Sequence, residues 1–336
     1  MTTSAPTAVI CGIGGHVPPR VVTNHDMEAL LDTSDAWIRT RTGIAARHVI
    51  DPGTATSDLA VEAGARALAS ADGAPADAVV LATTTPDRPC PATAPEVAAR
   101  LDLGPVPAFD VSAVCSGFLY GLATAAGLIA AGTARRVLLI AADAFTTLID
   151  PADRSTAVIF ADGAGAVVLR PGDPQEPGAV GRVVLGSDGT LGDLIQVPAG
   201  GSRHRCLGPQ AGPGDPYFRM RGRETYRHAV RRMTEASRAA LAAAGWELDD
   251  VDRLAAHQAN GRILATVGEE LGVPEERRLA NIERVGNTGA ASIPLLLAQS
   301  TAEGTLAPGH RLLMTAFGGG LAWGAATAVW PDVKAG

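Results

Sequence analysis

Cysteine is scarce in this sequence and follows no pattern. Four occur in 336 residues, Cys11, Cys90, Cys115 and Cys206. There is no CxxC pair and no metal-ligand spacing to a histidine, which excludes the signatures of a zinc site or a disulfide framework. Basic excess is missing too. With 28 Lys and Arg against 35 Asp and Glu the net charge is -7, whereas a nucleic-acid groove needs clustered cations on a basic domain. No nucleic-acid partner is expected, and any anionic ligand has to be met by a few arginines. A membrane-spanning run is also lacking. The most apolar stretch, 118–131, is interrupted by Gly121, Thr124 and Gly127 and is shorter than the ~20 residues that cross a bilayer. It reads as a buried helix. The first arginine is Arg20, so no basic n-region of a signal peptide is visible, and free thiols in a reducing cytoplasm are the expectation.

What is abundant is apolar material, at 46% of residues, enough for a large core in two domains or one double-layered one. Short apolar runs at 8–11, 79–84, 137–141, 164–169, 183–186, 254–256, 312–316 and 325–329 alternate with Ala-rich helical stretches. Those stretches lie at 57–71, 94–101, 116–131, 226–244 and 261–271. Such alternation predicts an α/β protein with buried sheets. The chain also repeats itself. RRVLLIAAD from Arg135 matches HRLLMTAFG from His310, and the same displacement carries Cys115 onto Ala290, just after Asn287. Two similar halves, 1–172 and 173–336, would then set the Cys115 and Asn287 segments face to face. The Pro and Gly cluster at 171–180 reads as their connection. The irregular stretch 200–216 is too long for a silent connector, so it is mobile or functional.

Three residues are candidates for chemistry. In FDVSAVCSGFLYGL a short strand ending near Val111 runs into Cys115 and then a helix. The positive end of a helix favours a thiolate, so a lowered pKa is expected for Cys115. A buried inert thiol is the bland alternative, and it is the reading kept for Cys11 and Cys90. His257 follows a strand in LAAHQANGRIL, at the strand end where α/β sheets place ligands. Asn287 stands in a Gly-Asn-Thr-Gly turn ahead of another helix; alone it would be a turn former.

Together with AFGGGLAWG near the C-terminus these residues carry a family resemblance. TSDAWIRTRTGIAARH, FDVSAVCSGF, DPADRSTAVIFADGAGAVVL, HQAN, GNTGAAS and AFGGGLAWG occur in order, and over nearly its whole length the chain resembles β-ketoacyl-acyl-carrier-protein synthase III. The resemblance implies a thiolase fold, five-layered αβαβα from two similar halves, as a cytoplasmic homodimer without a cofactor. It implies that acyl-CoA acylates Cys115 and that malonyl-acyl-carrier protein then condenses decarboxylatively, in fatty-acid or polyketide biosynthesis. Backbone N–H groups of Cys115 and Gly319 would hold the oxyanion, His257 and Asn287 the enolate, and Phe317 would favour loss of the carboxylate. Trp37 and Arg154 would sandwich the CoA adenine, Arg41 would meet phosphate, and Gly222, Tyr226 and Asn260 the pantetheine. Arg262 would dock the carrier protein. For the Trp37 segment, a helix capped by Ser34 is the coexisting structural reading.

The chain departs from the family pattern in three places. Arg223 replaces a common Asn, Gly289 a commoner Ser, and Cys90 a bulky aromatic that reaches across the dimer interface into the acyl pocket. Phe145 and Phe160 stand on the expected pocket wall and could refill that space. One rival on the same fold is an acyltransferase that loads Cys115 and passes the acyl group to a carrier or hydroxyl without condensation. A partner subunit without a nucleophile would lack Cys115, and a hydroxymethylglutaryl-CoA synthase-like reaction would need an acidic base that the sequence does not place.

Overall fold

The computed structural model of the chain describes residues 6–335. Strands β1 (Thr7–His16), β2 (Ala78–Ala82), β3 (Ala108–Val111), β4 (Val137–Asp143) and β5 (Gly163–Gly172) form one sheet in the order β1-β5-β4-β2-β3. Strands β6 (Val184–Ser187), β7 (Arg253–Ala256), β8 (Arg311–Gly318) and β9 (Ala322–Val329) form a second in the order β7-β8-β9-β6. Directions match as well as order. In the first sheet β3, β2 and β4 are parallel, and β5 and β1 each pair antiparallel with their neighbours. In the second, β7 and β8 are parallel and the β8–β9 and β9–β6 pairs antiparallel. Where the first sheet has β3, the second has a single parallel bridge between Leu254 and Arg278.

The predicted repeat survives in the register itself. Ala78 faces Val137 in the first sheet and Arg253 faces Leu312 in the second, both partners displaced by the same step that takes Arg135 to His310. Two similar halves therefore repeat strand order, direction and pairing.

Helices α1 (Asp35–Thr42), α2 (Thr56–Ser70), α3 (Ala94–Arg100), α4 (Gly117–Ala130), α5 (Gly222–Ala244), α6 (Gly261–Leu271) and α7 (Ser292–Ala302) fill the remaining layers. Successive residues of a strand point to opposite faces. Val137, Leu139 and Ala141 of β4 thus join the core between the sheets, with Phe118, Leu119 and Leu122 of α4 and Ile293, Leu296 and Leu297 of α7. Leu138, Ile140 and Ala142 join the outer core under α2 and α3, and α5 and α6 cover the far side of the second sheet. Both faces of the sheets are buried, which is why their strands read as unbroken apolar runs. Each large side chain so buried contributes about 1.5–3 kcal/mol.

Close packing of the central helices demands small residues. A Cβ at Gly121 would lie 2.5 Å from Leu139 Cδ1, so this glycine in the apolar 118–131 run lets α4 approach the sheet, whereas a Cβ at Gly127 would meet open space. The predicted connection at 171–180 is ordered: Ile10 N–H donates to Gly178 O at 2.8 Å and Gly178 N–H to Val329 O at 2.7 Å, tying the two sheets together. No helix among the described residues is long and apolar enough to cross a membrane.

Candidate active site

Cys115 lies in a one-turn 3-10 segment, Val114–Ser116, between the end of β3 and the start of α4. Val114 is held at φ 47°, a costly conformation for a β-branched residue, and the sharp bend turns the thiol out at the junction of the halves. The same device recurs at the equivalent place in the second half, where the turn Gly289–Ala291 precedes α7 and Gly289 has φ 59°. There the Cys115 position is Ala290.

His257 follows β7, its N–H donating to Thr315 O at 2.8 Å. Its Nδ1 lies 2.9 Å from Ser292 Oγ, which also accepts the Gln258 N–H at 2.7 Å. Ser292 is buried, and among the described residues its hydroxyl proton has one acceptor in reach, Nδ1. The imidazole therefore carries its own proton on Nε2, the nitrogen left to the cavity. Burial pushes its pKa down to about 3, so it is a neutral donor throughout the physiological range.

Asn287 is fixed from both halves. Its N–H donates to Ile159 O at 3.0 Å, and its carbonyl accepts the Ala161 N–H at 2.8 Å. Side-chain Oδ1 accepts the Gly289 N–H at 3.0 Å, which orients the amide and leaves Nδ2 as donor; Nδ2 is 3.4 Å from Ala259 O.

These three residues, Phe317 and Gly318 line one cavity of about 590 Å³. Gly318 was missed in the sequence. A Cβ there would lie 2.8 Å from Cys115 N and 3.1 Å from Ser116 N, so the glycine keeps clear the space an oxygen accepting from the Cys115 N–H would fill. Gly319 is the next residue, bordered by Ile195.

One expectation is overturned. Cys115 was expected to have a lowered pKa; it is pushed up to about 12, first by desolvation in the enclosing protein and then by the nearby Asp143 carboxylate. Burial is the largest cause, and the resting site holds a neutral thiol and a neutral imidazole on the wall of one cavity. Carboxamidomethylation of Cys115 by iodoacetamide should accordingly rise roughly tenfold per pH unit from pH 7 to 9, as the thiolate fraction grows. A rate already level at neutral pH would contradict this.

The cavity runs out to exposed Arg41, Arg223 and Arg262 at its rim. Ser34 caps α1, its Oγ accepting from Trp37 N–H at 3.2 Å. Arg154 Cζ lies 4.8 Å from the Trp37 ring centroid and Arg41 Cζ 5.9 Å. A flat ring entering between Trp37 and Arg154 has to part them, since two stacking distances together need roughly 7 Å. Arg154 itself does not line the cavity; Trp37, Gly222, Tyr226 and Asn260 do. Asn260 already caps α6, accepting Arg262 N–H at 2.9 Å and donating to Arg41 O at 3.1 Å. Tyr226 pairs with Thr266 Oγ1 at 2.7 Å.

Of the expected acyl-pocket residues only Phe160 lines the cavity. Phe145 is fully buried behind it, stacked at 4.5 Å, and Cys90 is exposed on the surface. Ile195, Phe218 and Met220 complete the wall, with Phe218 edge-on to both other phenylalanines at 5.3 and 5.0 Å. They escaped the sequence reading because Ile195 and Met220 come from two-residue strands, Ile195–Gln196 and Arg219–Met220, with Phe218 just ahead of the second, segments too short to show a period. The signal available was their position beside the long stretch 200–216, which itself forms the short helix Ser202–Arg205 and the turn Gly208–Ala211 outside the cavity.

Comparison with known proteins places the chain in a family. Residues 109–189 match the family profile 3-oxoacyl-[acyl-carrier-protein] synthase III, and residues 241–330 match its C-terminal counterpart. The chain is 60% identical over 328 residues to β-ketoacyl-[acyl-carrier-protein] synthase III 3 of Streptomyces coelicolor, covering 97% of this chain and 98% of that protein. It is 49% identical over 326 residues to the synthase III of Pseudomonas aeruginosa, covering 97% of each. The crystal structure of the synthase III from Pseudomonas aeruginosa PAO1 superposes with TM-score 0.92 at 48% identity, over 97% of this chain and 99% of that one. The priming β-ketosynthase of the R1128 polyketide pathway does so with TM-score 0.91 at 34% identity, over 99% and 98%. Fold and site define a thiolase-fold condensing enzyme that transfers acyl groups. Within that class, the chain belongs to the β-ketoacyl-[acyl-carrier-protein] synthase III family.

Proposed function

We propose that Cys115 takes an acyl group from acyl-CoA and that His257 and Asn287 then drive its condensation with malonyl-acyl-carrier protein. The carrying observation is the orientation of two donors. Ser292 leaves His257 Nε2–H free, Gly289 occupies Asn287 Oδ1 so that Nδ2, with one hydrogen on Ala259 O, keeps the other as a donor, and both residues share a cavity with Cys115. An enolate oxygen needs two such donors, whereas plain acyl transfer needs neither.

In the first half-reaction Sγ attacks the thioester carbonyl, the bond to the CoA sulfur breaks, and CoA departs as the thiol with the proton given up by Cys115. The oxyanion rests on the Cys115 N–H in the space before Gly318, with the Gly319 N–H as second donor. In the second, the bond to the malonyl carboxylate breaks and carbon dioxide leaves. The electron pair becomes an enolate held by His257 and Asn287, and its carbon attacks the acyl-cysteine and expels Cys115 as a thiolate, which takes a proton from solvent to restore the resting thiol. Phe317 keeps the leaving carboxylate in a dry wall.

Acyl-CoA is a substrate, and no cofactor takes part in this reading. Trp37 and Arg154 stack the adenine, Arg41 meets phosphate, the pantetheine passes Gly222, Tyr226 and Asn260, and Arg262 meets the acidic carrier. Divided into halves 1–172 and 173–336, a cytoplasmic homodimer would bring Cys90 of one copy to the acyl pocket of the other. Purified enzyme with acyl-CoA and malonyl-acyl-carrier protein should release carbon dioxide and form β-ketoacyl-carrier product. Acyl-carrier product without decarboxylation would select the transferase alternative.

The phenylalanine cluster limits the starter group. Phe218→Ala removes the wall member that touches both other rings, and should raise kcat/KM for a bulky acyl-CoA over a small one at least about tenfold. An unchanged ratio in competition assays would place the acyl chain elsewhere.

A further inference from the structure

Asp143 is a buried carboxylate that the reaction scheme leaves unused. It ends β4 with 0% exposure. Oδ1 accepts the Thr84 N–H at 2.6 Å and the Thr83 hydroxyl at 3.1 Å, while Oδ2 accepts the Ala290 N–H at 2.7 Å. The threonines belong to its own half; Ala290 belongs to the other.

The repeat gives this contact its meaning. Carried from the first half to the second, Asp143 becomes Gly318 and Cys115 becomes Ala290, each pair holding the same place at a strand end or in the turn before a central helix. At one junction a strand-end carboxylate accepts the turn N–H. At the other the strand end is glycine, and a Cβ on it would lie 2.8 Å from the turn nitrogen, Cys115 N.

We infer that Asp143 is a positioning residue: its carboxylate permanently fills the amide pocket that is the counterpart of the one left open at Cys115, and so holds the turn that orients Asn287. The coupling is short. Asn287 Oδ1 accepts the N–H of Gly289, the neighbour of Ala290, and a Cβ at Gly289 would lie 2.3 Å from Asp143 Oδ2. The carboxylate thus packs directly against that glycine. Without it, the buried Ala290 N–H loses its acceptor, the turn relaxes, and the Asn287 amide is no longer aimed. Burial raises the carboxyl pKa to about 6, the donor N–H groups of Thr84 and Ala290 opposing the rise, so the group is an anion above neutral pH. The inference rests on Asn287 serving the enolate half-reaction.

The test separates the half-reactions in purified Asp143→Ala and isosteric Asp143→Asn enzymes beside wild type. Acylation of Cys115, followed by protein mass, should stay within about threefold of wild type, and carbon dioxide release from malonyl-acyl-carrier protein should fall about 10- to 100-fold. Formate, which fits the vacated carboxylate site, should restore part of the decarboxylation in Asp143→Ala. It should do nothing in Asp143→Asn, where an amide NH₂ faces either Thr84 N–H or Ala290 N–H. Loss of the charge should also shift alkylation of Cys115 to lower pH in both variants. Wild-type decarboxylation by the variants overturns the inference, as does an equal fall in both half-reactions without formate rescue. Failure of both variants to fold assigns the carboxylate to stability alone and overturns it too. Wild-type enzyme that releases no carbon dioxide would instead sink the reading of Asn287.

Discussion

Gly318→Ala enzyme should bind acyl-CoA and yet acylate Cys115 about 10²- to 10³-fold more slowly than wild type, the loss that follows from blocking one oxyanion donor. The methyl group would stand 2.8 Å from Cys115 N and 3.2 Å from Cys115 Cβ, inside the volume the thioester oxygen needs as it gains charge. Relief is difficult, since the nearest atoms are backbone of the strained Val114–Ser116 turn and Gly318, the last residue of β8, is itself paired with Ala322 of β9. Gly319→Ala is the control. Its Cβ would meet Ile195 Cγ2 at 3.0 Å, a side chain that can yield, and its N–H is retained, so a smaller loss is expected. Mass spectrometry of the Cys115 thioester against time reads both variants. Acylation of Gly318→Ala at the wild-type rate would remove the Cys115 N–H from the oxyanion hole.

Asn287→Asp should lose decarboxylation by about 10²- to 10³-fold while its acyl-enzyme forms normally. The substitution is nearly isosteric and keeps an oxygen for the Gly289 N–H, so the turn has reason to hold. What changes is the other terminal atom, which passes from N–H donor to anionic oxygen. An enolate in a dry cavity would then face a like charge where it needs a proton donor. His257 cannot compensate, because its neutral Nε2–H supplies one hydrogen bond and no charge. Carbon dioxide release and β-ketoacyl product should fall together, with the acyl-cysteine accumulating. Equal loss of acylation would show that Asn287 serves both half-reactions.

These expectations draw unequally on the sequence. The buried strands were legible because a sheet covered on both faces leaves unbroken apolar runs, and the internal repeat was legible because β4 and β8 kept similar residues. Cys115, His257 and Asn287 stood out by motif and by their places after strands or ahead of helices. Ser34 announced the start of α1 by its residue type. The acyl wall did not show itself, since Ile195 and Met220 lie on strands too short for periodicity, Phe218 lies just ahead of one, and all three meet Phe160 only in space. Cys90, which the resemblance sends across a dimer interface, lies on the surface of this chain.

By itself the sequence determined the alternation of elements, the duplication, the family and the candidates for the reacting groups, because each is written in neighbouring residues or in a fixed spacing. Only the tertiary structure decided their states. The cysteine's raised pKa, the histidine's neutral tautomer, the vacant space at Gly318 and the carboxylate filling its counterpart all depend on burial and on partners far along the chain. Asp143 meets Ala290 across 147 residues. Protonation and hydrogen bonding are set by what surrounds an atom, and no local pattern encodes those surroundings.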